Sequence, residues 1–270
     1  MGAGNGPAYI HHTANVEQAV KRILDSKTFD NGTICASEQS VIMEARMEPA
    51  VKAALRAQGA YLLDEEETKQ LSRFILRANG TMNPAIVGKS VATVAQLAGL
   101  NRVPPSARVL VARETGVGKG HPYSSEKLGL ILGCFVEPNE EAVLNRCIEI
   151  LEWEGAGHTF SIHTEDEQVA KRFAAAVPAS RVLVNTPSAL GGIGATTCLF
   201  PALTLGCGAV GGSSSSNNIG PLDLINIKRV AWGVKELEEL RGGSPLSTAT
   251  CTVDEALLNR LVEQIMGRLR

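Results

Sequence analysis

The sequence predicts an α/β fold in which helices flank a mostly parallel sheet. Helical and strand patterns alternate along the chain, and strands that are separated by helices pair in parallel through right-handed crossovers. The strand candidates are short apolar runs between polar turns, such as 108–112 (RVLVA) and 181–185 (RVLVN), as expected of strands buried on both faces. The 270 residues, of which 44% are apolar and 20% charged, suffice for a sizeable core.

Apolar spacing predicts the individual elements. Helices are expected where apolar residues recur on one face, and strands where a short apolar run lies between turn residues. The predicted helices are 16–26, 48–58, 65–76, 140–153, 167–175 and 228–240. The predicted strands are 40–43, 108–112, 128–136, 159–163 and 181–185. Residues 191–218 are rich in Gly, Ser and Thr, so neither a helix nor a long strand is expected there.

The carboxyl-terminal part predicts a tethered helix. Residues 1–240 are predicted to form one domain and 241–252 (RGGSPLSTATCT) a linker. Residues 253–270 predict an amphipathic helix, because apolar residues recur every fourth position from Val253 to Leu269. Such a helix docks into a groove on a partner or packs on its parent domain, and both alternatives remain open.

Composition excludes several classes of function. A net charge of -2 and an aromatic content of 4% argue against binding of nucleic acid. No run reaches the ~18 apolar residues of a membrane span, and the uncharged, glycine-rich amino terminus is not typical of a signal peptide. The six cysteines form no CxxC pair, which indicates reduced thiols in a cytoplasmic protein. The histidines His11, His12 and His121 show no metal-like partnership, and we expect no metal.

The most informative residue is Cys35. It follows Asp30-Asn31-Gly32, a strong turn signal, because Asn and Gly tolerate positive φ. A cysteine after a tight turn lies near backbone N–H groups, which favour the reactive thiolate and stabilise an oxyanion on an attacked carbonyl. The alternative is an ordinary buried cysteine without a chemical role.

The segment 29–40 (FDNGTICASEQS) resembles the nucleophile motif of the CoA-acylating branch of the aldehyde dehydrogenase superfamily. Further blocks appear in the family's order and extend the resemblance over residues 1 to 232. They are GAGNGP (2–7), HPYSSEKLG (121–129), EGAGHTFSIHT (154–164), VNTPSALGGIGA (184–195), LTLGCGAVGG (203–212) and NIGPLDLINIKRVA (218–231). The resemblance implies the aldehyde dehydrogenase catalytic domain, with Cys35 as nucleophile and the dinucleotide-binding domain largely absent.

The resemblance also implies the reaction. A short-chain aldehyde forms a thiohemiacetal with Cys35, hydride leaves to NAD, and coenzyme A removes the acyl group from the resulting thioester. Hydrolytic relatives carry a glutamate in the block matching Gly2–Pro7, where this chain has no acid. That difference favours thiolysis by CoA over hydrolysis. We expect the isolated chain to fold but to oxidise aldehydes poorly or not at all.

Two further residues are assigned through the resemblance. His158, in GAGHT, is expected to act as general base, because a histidine titrates in the right range; the alternative is a histidine that closes a turn. We interpret His163, in the same strand, as structural. Glu126, in SSEKLG, matches the glutamate that contacts the nicotinamide ribose, and the alternative is a surface acid. Leu128 stands where many relatives have phenylalanine, which leaves the nicotinamide contact open.

Glycine motifs for phosphate binding are not supported. Residues 206–211 (GCGAVG) fit G-x-G-x-x-G, but SSSSNN follows where a helix should begin. We interpret this segment as a close-packed loop near the active site. Residues 117–120 (VGKG) lack the Ser or Thr that ends a phosphate loop.

Two other functions remain open at this stage. The same thiol suits a Cys-His acyltransferase or thioesterase without nicotinamide, and a non-catalytic oligomerising domain needs no thiol chemistry. The expected partners are an aldehyde, CoA and further copies of the chain. The helix at 253–270 resembles those that deliver some acylating aldehyde dehydrogenases into bacterial microcompartments, so a shell protein is a further expected partner and a microcompartment an alternative location.

Overall fold

A computed structural model describes residues 2–77, 79 and 81–241, without the side chains of 240 and 241. Its centre is a seven-stranded sheet in the order β3-β4-β5-β2-β1-β6-β7. Every pair of neighbouring strands is parallel, as the alternation of helices and strands predicts. The strands are β1 (Gly6–Ile10), β2 (Glu38–Glu44), β3 (Ala60–Leu62), β4 (Val109–Arg113), β5 (Ile131–Glu137), β6 (Gly157–His163) and β7 (Ala179–Val184).

Helices connect the strands, and most begin at a residue that caps them. The side chains of Asn15, Asp64, Ser90, Asn139 and Asp166 accept backbone N–H bonds at the starts of helices, which offsets the unpaired donors there. The described helices are α1 (Val16–Thr28), α2 (Glu48–Ala57), α3 (Glu65–Ile75), α4 (Val91–Ala98), α5 (Glu140–Trp153), α6 (Glu167–Ala176), α7 (Ser188–Gly192) and α8 (Leu237–Arg241). Short 3-10 turns lie at Phe29–Gly32, Ala45–Met47, Pro84–Ile86, Pro122–Ser124 and Pro221–Leu224.

Both faces of the sheet are covered by helices. Successive side chains of a strand point to opposite sides, so each strand contributes to the core on both faces. Ala8 and Ile10 of β1 pack with α1 and α2 on one face. Tyr9 lies on the other face with residues of α5 and α6. The strands therefore carry nearly continuous apolar runs, as strands buried on both sides require.

Most predicted elements are present with boundaries that differ by a few residues. The exceptions have physical reasons. The sequence analysis did not predict β1, β3, α4 and α7, each of which is eight residues or shorter. The predicted helix 228–240 is wrong over 228–236, since the helix begins only at Leu237. Val230 and Trp232 are 71% and 79% exposed, so the apolar burial that normally stabilises a helix is missing.

The chain divides into two units, Met1–Ile225 and Asn226–Arg270. The first contains the whole sheet, and in the second the described residues are 226–241. The predicted linker 241–252 falls outside the described residues except for position 241, and the predicted helix 253–270 lies wholly outside them, so both stay predictions. Among the described helices, none combines the length and the apolar composition needed to cross a bilayer.

Phe173 provides a test of the core. It is fully buried and stacks between Tyr9 and Phe160, with ring centroids 4.9 Å and 6.0 Å away. We expect Phe173→Ala to lower the free energy of unfolding by about 3–5 kcal/mol, because it removes a buried ring and leaves a cavity. Phe200, which is 53% exposed, is the matched control, and Phe200→Ala should cost about 1 kcal/mol or less. Urea unfolding of both variants measures the difference, and equal losses would contradict this assignment of the core.

Candidate active site

The predicted site residues lie at one edge of the sheet. Because all strands are parallel, their amino ends meet at the same edge. Cys35 precedes β2, Glu126 precedes β5, and His158 is the second residue of β6. Open parallel sheets usually bind ligands at the carboxyl ends of their strands, so this arrangement differs from the common one.

A tight turn presents Cys35. Asp30, Asn31 and Gly32 have φ values of 48°, 51° and 75° within the 3-10 turn Phe29–Gly32. Only glycine fits at position 32, because a Cβ there would lie 2.6 Å from the carbonyl oxygen of Gly129. The Asp-Asn-Gly signal therefore predicts the turn correctly, and the turn packs against the segment that leads into β5.

Cys35 and Glu126 are brought together through Gly4. A Cβ on Gly4 would lie 1.9 Å from the carbonyl oxygen of Cys35, so the two backbones are in contact and no side chain fits. The Gly4 N–H donates to Glu126 Oε1 over 2.9 Å. The Glu126 N–H in turn donates to Glu154 Oε2 over 2.8 Å. The carboxylate of Glu126 is thus fixed beside the segment that carries the thiol.

Electrostatics at Cys35 disfavour the thiolate in the absence of a substrate. Burial raises the pKa of the thiol, and the negative charge of Glu126 raises it further. The amide N–H of Cys35 and the cation of Arg181 act in the opposite direction. The backbone amide therefore lowers the pKa of the thiol, as the sequence analysis expects, but by less than burial raises it. The thiol is half-buried, so it remains partly accessible.

His158 is buried at the same edge and is 2% exposed. Burial, followed by the nearby cation of Arg181, lowers its pKa to about 4, so the imidazole is neutral near pH 7. Its Nδ1 lies 2.9 Å from Thr159 Oγ1. Among the described residues no hydrogen bond joins His158 to Cys35, although both lie at the same edge of the sheet.

His163 lies five residues further along β6, so its side chain projects from the opposite face. It is fully buried, and burial lowers its pKa to about 4. Both ring nitrogens lack a hydrogen-bond partner among the described residues. The structural interpretation of His163 therefore stays a prediction.

Arg181 is a site residue that sequence reasoning missed. Its guanidinium is buried at 4% exposure and donates to Asn218 Oδ1 over 2.9 Å and to the carbonyl oxygen of His158 over 3.1 Å. It also donates to the carbonyl oxygen of Gly206. No acidic side chain of the described residues forms an ion pair with it, and the thiols Cys35 and Cys207 are the groups that raise its pKa against burial. The only signal in the sequence is a charged residue inside an apolar strand.

The glycine-rich loop closes over this edge, as the sequence analysis expects. A Cβ on Gly157 would lie 1.9 Å from the carbonyl oxygen of Cys207, and one on Gly192 would lie 2.8 Å from Cβ of Ala36. Asn218 Nδ2 donates to the carbonyl oxygen of Gly192 over 2.8 Å. Arg181 is thus linked through Asn218 to Gly192. Gly192 in turn packs against Ala36, the residue that follows Cys35.

A group of buried polar side chains packs around the turn that precedes Cys35. Glu38 Oε1 accepts the N–H of Ser188 at the start of α7 over 3.0 Å. Lys27 Nζ donates to Gln39 Oε1 over 3.2 Å. Burial lowers the pKa of Lys27 to about 7 and raises that of Glu38 to about 7. These groups hold α1, β2 and α7 together around the cysteine segment.

Comparisons with known proteins agree with this geometry. No protein-family model matches the chain. The chain is 40% identical over 236 residues to the bifunctional aldehyde-alcohol dehydrogenase AdhE of Escherichia coli K12, with 86% of the chain and 26% of the relative covered. The crystal structure of a probable aldehyde dehydrogenase from Listeria monocytogenes EGD-e is 60% identical, with a TM-score of 0.86 and coverage of 89% of this chain and 53% of that one.

A second solved structure, an acetylating aldehyde dehydrogenase from Geobacillus thermoglucosidasius, is 46% identical with a TM-score of 0.84. It is covered over 52% of its length, by 88% of this chain. The chain thus spans about a quarter of AdhE and about half of the solved structures. Over most of its length the chain is homologous to aldehyde dehydrogenases that include acetylating members, and it corresponds to a part of their length.

Proposed function

We propose that this chain carries the thiol chemistry of an NAD-dependent, CoA-acylating aldehyde dehydrogenase, which oxidises a short-chain aldehyde to acyl-CoA. The observation that carries the proposal is a half-buried thiol, Cys35, at an edge where Glu126, His158 and Arg181 also lie. The relatives it matches are longer than the chain, so the activity of the whole protein is part of this proposal.

The covalent steps proceed on the sulfur of Cys35. The sulfur adds to the aldehyde carbon, and the carbonyl oxygen takes up a proton to give a thiohemiacetal. The nicotinamide cofactor, when bound, would supply the hydride acceptor, and loss of that hydride together with the hydroxyl proton would convert the thiohemiacetal into a thioester on Cys35. The sulfur of CoA then attacks the thioester carbon, the bond to Cys35 breaks, and acyl-CoA leaves.

His158 is the proposed proton acceptor. Burial lowers its pKa to about 4, which leaves the imidazole neutral and able to accept a proton from Cys35 or from the CoA thiol, as a weaker base than an exposed histidine. The absence of a direct hydrogen bond to Cys35 suits proton transfer from either thiol through a bound substrate or a water. Arg181 is the proposed counter-charge for the thiolate that is released when the thioester is cleaved.

Glu126 fits the ribose of a nicotinamide cofactor. It lines a cleft of about 330 Å³ together with Trp153 and Met82. One carboxylate oxygen is held by the Gly4 N–H, and no described residue donates to the other, which leaves an acceptor for a ribose hydroxyl. This cleft favours the dehydrogenase over an acyltransferase that works without nicotinamide.

The segment before β1 suits thiolysis rather than hydrolysis. The contact between Gly4 and the backbone of Cys35 leaves no room for a side chain at position 4. A base placed there to activate water is therefore excluded at that position, and the thioester is left for a second thiol. This supports CoA as the acyl acceptor.

Location and assembly extend the same proposal. We propose that the protein acts as a homo-oligomer and that residues 253–270 direct it to a microcompartment shell, with packing on the parent domain as the alternative. The support is the amphipathic spacing from Val253 to Leu269. Co-purification with shell proteins, unchanged after deletion of 253–270, would remove the idea.

The site of acylation is directly testable. After incubation with acetyl-CoA, intact-mass and peptide mapping should locate one acetyl group on Cys35 and none on Cys198, although Cys198 is the more exposed thiol. The reason is that the groups proposed to assist acyl transfer lie beside Cys35, whereas Cys198 is merely more exposed to solvent. Cys35→Ala should abolish the adduct, whereas Cys198→Ala should leave it intact. Labelling that follows exposure would contradict the proposal.

The charge of Glu126 should control the reactivity of Cys35. Because this carboxylate raises the pKa of the thiol, Glu126→Gln should lower that pKa and speed alkylation by iodoacetamide severalfold at mildly alkaline pH. The pH profile should move to lower pH, since the thiolate then forms earlier. The amide keeps an acceptor for Gly4, and Glu66→Gln on the exposed surface of α3 is the control. Identical profiles for the two variants would contradict the assignment.

His158 should matter for proton transfer rather than for folding alone. We expect His158→Gln to slow acylation of Cys35 by acetyl-CoA at least about tenfold, because it removes a general base. His121→Gln, which alters a histidine paired with Glu114, should react like the unmodified protein. Circular dichroism and thermal unfolding verify that both variants fold. An undiminished rate in folded His158→Gln would exclude this role.

A further inference from the structure

A second cluster of reactive side chains lies at the carboxyl edge of the sheet, away from Cys35. His11 and His12 directly follow β1, and Glu44 is the last residue of the neighbouring strand β2. The sequence around the two histidines shows no third metal ligand, because Glu44 lies more than thirty residues away. Parallel pairing of β1 with β2 brings all three to one point.

The three side chains converge closely enough to share one ion. One ligand atom from each of His11, His12 and Glu44 lies within 4.8 Å of the other two. His12 Nδ1 and Glu44 Oε1 are 3.6 Å apart, near the separation of two ligands bound to one tetrahedral metal at about 2 Å each. Two imidazoles and a carboxylate are a donor set that suits zinc and similar cations.

A positive nitrogen already contacts two members of the cluster. Arg46 Nη2 donates to His12 Nδ1 over 2.8 Å and to both oxygens of Glu44 over 2.9 Å. The arrangement therefore recognises a cation, with the lone pair of His12 Nδ1 directed at it. The side chain of Arg46 is 56% exposed, so it can swing into solvent and free these atoms.

His11 is held for ligation by the groups around it. The residue is 1% exposed, and its Nε2 has no hydrogen bond among the described residues. Glu140 Oε2 lies 3.2 Å from that nitrogen, but out of line for a hydrogen bond. On the other side, Nδ1 lies 2.9 Å from Thr13 Oγ1 and 3.0 Å from Thr164 Oγ1. Oxygen atoms beside both nitrogens orient the ring, as outer partners of metal-bound histidines do.

We propose that His11, His12 and Glu44 form a binding site for a divalent cation of the zinc class, in competition with the guanidinium of Arg46. The side chain of His12 is 40% exposed, which gives the ion a path from solvent. The fourth position is left for water or for Glu140. The site lies at the opposite edge from Cys35 and does not rest on the function proposed there.

Zinc titration of the full chain tests the site. Protein freed of metal by a chelator is titrated with zinc chloride by calorimetry. We expect one ion per chain at this site, at least about tenfold weaker binding in His12→Ala because a ligand is lost, and severalfold tighter binding in Arg46→Ala because the competing cation is gone. His121→Ala is the matched control and should bind like the unmodified protein. Circular dichroism without metal verifies that each variant folds.

Cobalt(II) distinguishes this site from thiols that take up metal. Nitrogen and oxygen ligands give weak visible bands, whereas a thiolate adds an intense charge-transfer band in the near ultraviolet. We expect the weak bands alone, stronger in Arg46→Ala and lost in His12→Ala. Three results would each overturn the proposal: equal affinity of His12→Ala and the unmodified protein, a thiolate band at the first equivalent, or no zinc binding by either the unmodified protein or Arg46→Ala.

Discussion

The candidate active site depends on a contact between two stretches of backbone. Residues 4 and 35 approach so closely that only glycine fits at position 4, and the same glycine donates its N–H to Glu126. One residue without a side chain thus sets the distance between the thiol segment and a carboxylate that is distant in sequence. Because β1 and β2 are adjacent in the sheet, any shift of their register would separate the two groups.

Charge at this edge is unbalanced in a way that suits a transient anion. Arg181 is buried and has backbone carbonyls rather than carboxylates as partners. A buried cation with no counter-charge among the described residues is costly, and here the cost is offset by hydrogen bonds that Arg181 donates to carbonyls of the loop that covers the edge. A negative charge that forms on Cys35 meets this cation and also the repelling carboxylate of Glu126.

The sequence predicts the sheet well and the site in part. Strands buried on both faces produce apolar runs that are visible without a structure, and Asp-Asn-Gly correctly predicts the turn before Cys35. The helix expected at 228–236 fails because its apolar face has nothing buried against it among the described residues. Arg181 was missed because its importance arises from carbonyl groups of residues 158 and 206, which only the fold brings near. Likewise, Glu44 becomes a neighbour of His11 and His12 only through strand pairing.

The strands of the all-parallel sheet separate the thiol of Cys35 from the cluster of His11, His12 and Glu44. The thiol lies beyond the amino ends, and the histidine cluster lies beyond the carboxyl ends, with the five residues of β1 between them. At about 3.3 Å per residue, that strand alone holds the two regions roughly 17 Å apart. Over such a distance, with no shared side chains, mutational effects on stability normally add. One edge can therefore evolve, or be redesigned, while the other keeps its properties.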